Sequence, residues 1–401
     1  MPNDVRPFPI DVPQADLDDL LERLARTRLP RQLPGDWARG VTCDYLGELI
    51  AHWRTAFDWR EHEARLNELG SFVTTIDDHD VHFLHVRSPE PGALPLVLNH
   101  GWPNSVFEFA ELVGPLTRPS AHGREGARAF HVVVPSIPGF GFSEQPKSTG
   151  WNVARVAGMF TELMRRLGYE RYGVQGGDLG AYLAPEMAKA APDAVVGAYV
   201  MGGLGFPTER DIPDMNAEDF ASYQEMQEWA AIGVDHHSLL RVAPQTFANA
   251  WNDSPAGLLS WLIEKFKQFT ITVDLPDQAI DRDLLLANAT LYWLTGTAGS
   301  SSWFMYESSE FTWPEGQSLV PTGVYSGGPD VWRRLAERHN TIVHWPQGNP
   351  GGHFVSMEQP HAVAEDLRTF FDLVAPRTPR SQQARDEALT GTDHGRRGEA
   401  L

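Results

Sequence analysis

The chain has 401 residues, 42% hydrophobic and 21% charged, enough for one large core or two to three smaller units. Its net charge of -20 argues against a nucleic-acid backbone as partner, because such binders present basic surfaces. A lone cysteine, Cys43, excludes an internal disulfide and leaves no zinc-binding cluster, and no signal-peptide pattern or long apolar run is present, so the expectation is a cytoplasmic protein that neither spans nor binds a membrane.

Residues 1–90 read as a helical leader. Asp16 is placed to cap a helix through Leu17, Leu20, Leu21, Leu24 and Ala25, which Pro30 and Pro34 stop. A second helix is expected over Asp44–Phe57, with Leu46, Ile50 and Trp53 on one face, and a third over Trp59–Leu69. Faces of this kind need a partner surface, within the chain or across a homodimer. At residue 72 the period changes to two, and Phe72–Ile76 and Val81–Val86 read as a hairpin around Asp77–Asp80. Short apolar runs then alternate with helical stretches. Pro95–Asn99, Phe130–Val134, Tyr172–Gln175 and Ala194–Val200 read as strands, and Thr322–Tyr325 and Thr341–Trp345 resume the series late in the chain. Such alternation means a parallel sheet covered on both faces, an α/β fold with its core over 91–204 and 319–375. The Trp-rich helical stretch 205–318 interrupts the strands and reads as an inserted lid; residues 376–401 are polar, without apolar period, and are expected to be disordered.

The chemistry concentrates at strand ends. Gly176-Gly177-Asp178-Leu179-Gly180 follows a strand and opens a helix, as does the nucleophile elbow of α/β-hydrolases, with Asp in place of Ser. The same residues also fit a helix N-cap after a Gly turn. His100-Gly101-Trp102-Pro103 follows an apolar strand, where this fold supplies its second oxyanion donor, so the backbone N–H groups of Trp102 and Leu179 are the candidate pair. Gly351-Gly352-His353-Phe354 follows the last strand and offers His353 as general base. The acid that orients it should follow the preceding strand; Asp330 is the first candidate, although it also fits a helix N-cap, and Glu337 is the second.

Together these motifs resemble the microsomal-type epoxide hydrolase family, over residues 7–373. The resemblance includes the leader, Pro138-Gly139-Phe140-Gly141-Phe142-Ser143 and Asn252-Asp253-Ser254-Pro255-Ala256-Gly257-Leu258. It implies an α/β-hydrolase fold with helical leader and lid, no cofactor, no metal, and an epoxide and water as substrates. It also implies two lid tyrosines that hydrogen-bond the epoxide oxygen. Tyr306 is similar in place to one; where the second is expected stands His236, beside His237. Either His236 donates the second bond, or Tyr306 acts alone, or the substrate sits differently. Leu179 stands where the family usually has Trp, Asn104 where it often has Gly, and the loop Gly327-Gly328-Pro329-Asp330 is short. The altered lid is similar to that of bacterial members acting on bulky aryl epoxides in antibiotic (enediyne-type) biosynthesis. The expected reaction is attack of Asp178 on an oxirane carbon, then hydrolysis of the resulting ester by His353-activated water. A haloalkane dehalogenase and a non-catalytic receptor for an apolar ligand on the same fold are the alternatives.

Overall fold

The computed structural model describes residues 5–35, 37–202, 204, 209–233, 235–270, 273–307 and 320–376. Its strands are β1 (Arg6–Pro7), β2 (Ser71–Ile76), β3 (His79–Val86), β4 (Leu94–Asn99), β5 (Phe130–Pro135), β6 (Tyr172–Gly177), β7 (Val195–Met201), β8 (Pro321–Val324) and β9 (Thr341–His344). They form one sheet in the order β1-β2-β3-β5-β4-β6-β7-β8-β9. The strands from β5 to β9 along that order pair in parallel, as their apolar runs predict. The edge departs from the expected parallel sheet: the leader's hairpin adds β1, β2 and β3, all antiparallel, with β3 pairing onto β5. The hairpin is also tighter than expected. Asp77 and Asp78, at φ 51° and 60°, make a two-residue turn, the left-handed pair that matches strand twist.

Helices α1 (Gln14–Ala25), α2 (Cys43–Thr55) and α3 (Trp59–Glu68) form the leader. The first begins at Gln14 after Pro13, so Asp16 lies in its first turn, where it complements the helix dipole instead of capping. Thr42 caps α2, accepting from Tyr45 N at 3.3 Å. Helices α4 (Val113–Thr117), α5 (Val153–Arg166) and α6 (Gly180–Ala190) follow within the strand series. Between β7 and β8 come α7 (Ala217–Gly233), α8 (Asp235–Leu240), α9 (Pro244–Trp251), α10 (Pro255–Phe269), α11 (Arg282–Thr295) and α12 (Thr297–Glu307). The chain closes with α13 (Asp330–Ala336), α14 (Val355–Glu358) and α15 (Pro360–Val374). The polar tail expected to be disordered lies, from residue 377 on, outside the described residues.

The strand order places the site. After β4 the chain crosses to β5 on one side; after the next crossover it returns as β6 on the other side of β4. Loops leaving β4 and β6 therefore diverge, opening a crevice at the carboxyl ends of these two strands. The motifs of residues 100–103 and 176–180 flank that crevice.

The leader is fastened to the helices above this crevice. Leu17, Leu20 and Leu24 of α1 are buried, as their spacing predicts, and the helix packs on α2 and α10. Trp53 is fully buried, and its indole N–H donates to Thr290 Oγ1 of α11 at 2.9 Å. Tyr45 OH donates to Asp277 at 2.9 Å, and His52 lies 2.6 Å from Asp283. Asn67 holds the entering chain as a strand would, donating to Ile10 O and accepting from Ile10 N, each at 2.8 Å. Trp53→Ala should cost about 3–5 kcal/mol, because it empties a tightly packed volume. Trp53→Phe should cost about 1 kcal/mol, because Thr290 still donates to Leu286 O. Urea unfolding at constant slope measures both; a Trp53→Ala protein as stable as its parent would mean the leader does not hold these helices.

Candidate active site

Asp178 leaves β6 with φ 52°, the left-handed turn of an elbow, and Leu179 then enters α6. Two glycines let the strands come this close. A Cβ on Gly180 would stand 2.1 Å from Asn99 O, and one on Gly101 would stand 2.3 Å from Asp178 Cβ. The result is a differentiated carboxylate. Oδ1 accepts from Trp102 N at 2.9 Å and Leu179 N at 2.7 Å. Oδ2 faces His353 Nε2 at 3.4 Å. Burial alone would push the Asp178 carboxyl up; the His353 ring and the two amides outweigh it and hold the group below its ordinary range.

The Trp102 loop is fixed from several sides. Ile137 N donates to His100 Nε2 at 3.2 Å, so the ring hydrogen sits on Nδ1, 3.1 Å from Gly101 O. Burial lowers the His100 pKa to about 4, leaving a neutral brace. Asn288 of α11 donates to Pro103 O at 2.7 Å, and Tyr292 OH donates to Asn104 O at 2.8 Å.

His353 sits in the loop between β9 and α14. Glu358 fixes that loop by accepting from Gly352 N at 2.8 Å and Phe354 N at 3.1 Å, the amides either side of the histidine. The ring lies 4.8 Å from Phe269, and Phe269 meets His236 edge-on at 5.8 Å. His236 is buried and stacks on Trp102 at 5.1 Å and 19°. His353, Phe269, His236 and Trp102 thus arch over Asp178, two of them from helices α8 and α10.

Three expected residues lie elsewhere. Asp330 is exposed at the start of α13 and makes no hydrogen bond or ion pair with His353. The chain before it folds onto the β9 loop, with Gly327 N donating to Pro346 O at 2.7 Å, and enters α13 directly, which turns Asp330 outward. Glu337 pairs with Arg333 at 2.9 Å on the same helix. Among the described residues Asp178 faces His353 Nε2, and Glu358 holds the amides on either side of it. Tyr306 is half exposed and lines a cavity of about 630 Å³ with Pro138, Trp151, Val242, Pro244 and Trp303; neither Asp178 nor His353 lines it. The side chain of His237 lies outside the described residues.

Sequence reasoning missed Phe269, Glu108, Glu358 and Tyr182. Tyr182 lies one turn past Asp178, on α6; burial and the Asp178 charge push its pKa up to about 12, against the pull of Arg241. The signals were faint: a Tyr four residues after the nucleophile candidate, and acids seven residues past Gly101 and five past His353. Among the described residues no group of three His, Cys, Asp or Glu could hold a metal, and no helix is long and apolar enough to cross a membrane. Gly101→Ala should lower turnover about a hundredfold or more, the scale of losing one oxyanion donor. Gly158→Ala on α5, with open space at its Cβ, is the control; equal turnover in both would mean the Trp102 loop is not tied to Asp178.

The pattern described as "Epoxide hydrolase N terminus" matches residues 5–109, and that described as "alpha/beta hydrolase fold" matches residues 95–256. The chain is 40% identical over 372 residues to a protein of Stigmatella aurantiaca, spanning 92% of this chain and 84% of that one. It is 32% identical to epoxide hydrolase 1 of Sus scrofa, spanning 92% and 89%. The crystal structure of juvenile hormone epoxide hydrolase from Bombyx mori superposes with a TM-score of 0.81 at 27% identity, covering 92% of this chain and 94% of that one. The Aspergillus niger epoxide hydrolase gives 0.77 at 27% identity, covering 92% and 96%. With leader, sheet order, elbow and these relatives in agreement, the chain belongs to the microsomal-type epoxide hydrolase family, on the α/β-hydrolase fold.

Proposed function

We propose that this epoxide hydrolase turns an apolar or aryl epoxide into a vicinal diol through a covalent ester on Asp178. The observation that carries the reading is the asymmetry of that carboxylate: Oδ1 is committed to two amides, while Oδ2 is left to face the cleft and His353. Oδ2 attacks an oxirane carbon in line, the ring C–O bond breaks, and its electron pair goes to the oxirane oxygen, which takes a proton. His353 then removes a proton from water; the hydroxide adds to the ester carbonyl carbon, and the charge that develops on Oδ1 rests on the Trp102 and Leu179 amides. Collapse releases the diol and leaves one water oxygen in the Asp178 carboxylate. Once Asp178 is esterified its charge is gone, and Glu358, whose carboxyl burial pushes up, continues to hold the His353 loop through the Gly352 and Phe354 amides. Asp330, facing solvent, has no part in this scheme. Helices α7 to α12 serve as the lid, and the rings they bring beside Trp102 and His353, such as Phe269, suit a bulky aryl group such as a natural-product epoxide carries.

Single turnover of excess enzyme with styrene oxide in heavy-oxygen water tests the route. Unlabelled diol with label in the Asp178 peptide is expected; diol labelled at once would mean direct attack by water. Asp178→Ala should abolish turnover, and His353→Gln should leave an ester detectable by mass spectrometry.

In this scheme His236 donates to the oxirane oxygen, the part that the family resemblance gives to a lid tyrosine. His236→Phe keeps a ring on Trp102 and removes the donor, so ester formation should slow about a hundredfold or more, while Tyr306→Phe should change it little. An unchanged rate of ester formation in His236→Phe would move the donor elsewhere, with Tyr182 next to be tried.

A further inference from the structure

Beneath the Trp102 loop lies a buried acid that the scheme above does not use. Glu108 is 7% exposed and sits in the short turn of 3-10 helix after that loop. Its Oε2 accepts from Gly101 N at 3.3 Å, and its Oε1 would stand 3.9 Å from a Cβ on Gly177. It therefore touches the Trp102 loop and the elbow at once. The Asn104 side chain, where the resemblance leads one to expect Gly, favours the ionised form of that acid.

The surroundings give Glu108 no counter-charge. His100, on the loop, is neutral. From α11 comes the Tyr292 phenol, turned to Asn104 O. From α3 come His62, ring against Phe107, and Arg65, committed to Glu111 and Ala110 O. From α14 comes Glu358, turned to its own loop. Among the described residues no cation pairs with Glu108, and the charge that acts on it is the negative one of Asp178.

We propose that Glu108 is a positioning residue that works as an uncharged carboxylic acid, holding the Gly101–Trp102 segment over Asp178 while adding no charge to the oxyanion site. The inference rests on the covalent scheme proposed above. Ester hydrolysis is the step that needs the acid neutral, because negative charge then gathers on Asp178 Oδ1. Burial, and after it Asp178, push the Glu108 pKa up to about 8, against the Gly101 amide and Asn104. Esterification removes the Asp178 contribution, so ionisation in the intermediate sets in below that value. The sign follows: the acid is neutral and hydrolysis proceeds below this pH, and a second negative charge opposes the oxyanion above it.

The test follows decay of the Asp178 ester by mass spectrometry, with quenched single turnovers of styrene oxide at pH 7 and pH 9. In the parent the decay rate should fall about tenfold or more between the two, the change in neutral fraction for a group of that pKa. Glu108→Gln keeps the shape and cannot ionise, so its ratio of rates at the two pH values should be near one, whatever its absolute rate. Asn104→Gly removes a donor that favours the ionised form and should move the parent's alkaline limb to higher pH. A parent rate level from pH 7 to 9, or a Glu108→Gln ratio equal to the parent's, overturns the proposal. Should Glu108→Gln fail to fold, an unmoved limb in Asn104→Gly overturns it. Failure of the covalent scheme itself would show separately, as no Asp178 ester in His353→Gln.

Discussion

Two backbone amides from the ends of neighbouring strands converge on a single oxygen of Asp178, and the rest of the molecule is arranged around keeping them there. One amide follows β4, the other follows β6, and the strands are adjacent because the chain reverses its direction of travel across the sheet at that point. Amides cannot follow a moving target, so their value for charge stabilisation depends on being fixed before charge appears. The contacts given by Gly101 and Gly180 put side-chain-free backbone where a methyl group would force the loops apart. His100, Asn288 and Tyr292 then hold the loop from below and above.

The second constraint is mechanical continuity between the ends of the chain's fold. The leader both extends the sheet through β1, β2 and β3 and grips α10, α11 and the turn between them through α1, Trp53 and Tyr45. Helix α11 in turn holds the Trp102 loop. Helix α11 therefore joins two buried hydrogen bonds, Trp53 to Thr290 and Asn288 to Pro103, the second next to the amide on which the oxyanion would rest. Buried polar contacts of this kind specify one arrangement more than they add stability, because each leaves an unsatisfied group if its partner moves.

What was legible in the sequence follows from range. The elbow and the His353 loop declare themselves through glycines at fixed offsets, a local geometric need that any chain making such turns must meet. The leader's helices were legible through their period, with starts misplaced by three residues and by one where Pro13 and Thr42 set them. The partner of His353 was not legible, because which carboxylate approaches it depends on how the short loop after β8 lies on Trp345 and Pro346, a tertiary matter. Where Tyr306 points was not legible for the same reason: its face turns to a cavity that neither Asp178 nor His353 lines. Glu108 and Phe269 read in sequence as ordinary core-edge residues, and only the fold brings them against Asp178 and His353.

The charges around Asp178 then make one argument. At rest its carboxylate is balanced by His353 and by two amide dipoles, which is why a buried acid can remain ionised at all. In the scheme proposed above, ester formation discharges it, and hydrolysis returns the charge to Oδ1 while His353 becomes positive. Through that cycle the negative charge stays on the same residue, and the protein need only keep other charge away from it. Glu358 is turned to the His353 loop, Asp330 and Glu337 face solvent, and Glu108, the one further acid built into the oxyanion loop, lies where burial favours its neutral form. An ionised Glu108 would share its dry surroundings with Asp178, where little water screens like charges from each other. The geometry that lets strand ends meet at Asp178 thus also decides which of the neighbouring acids can carry charge.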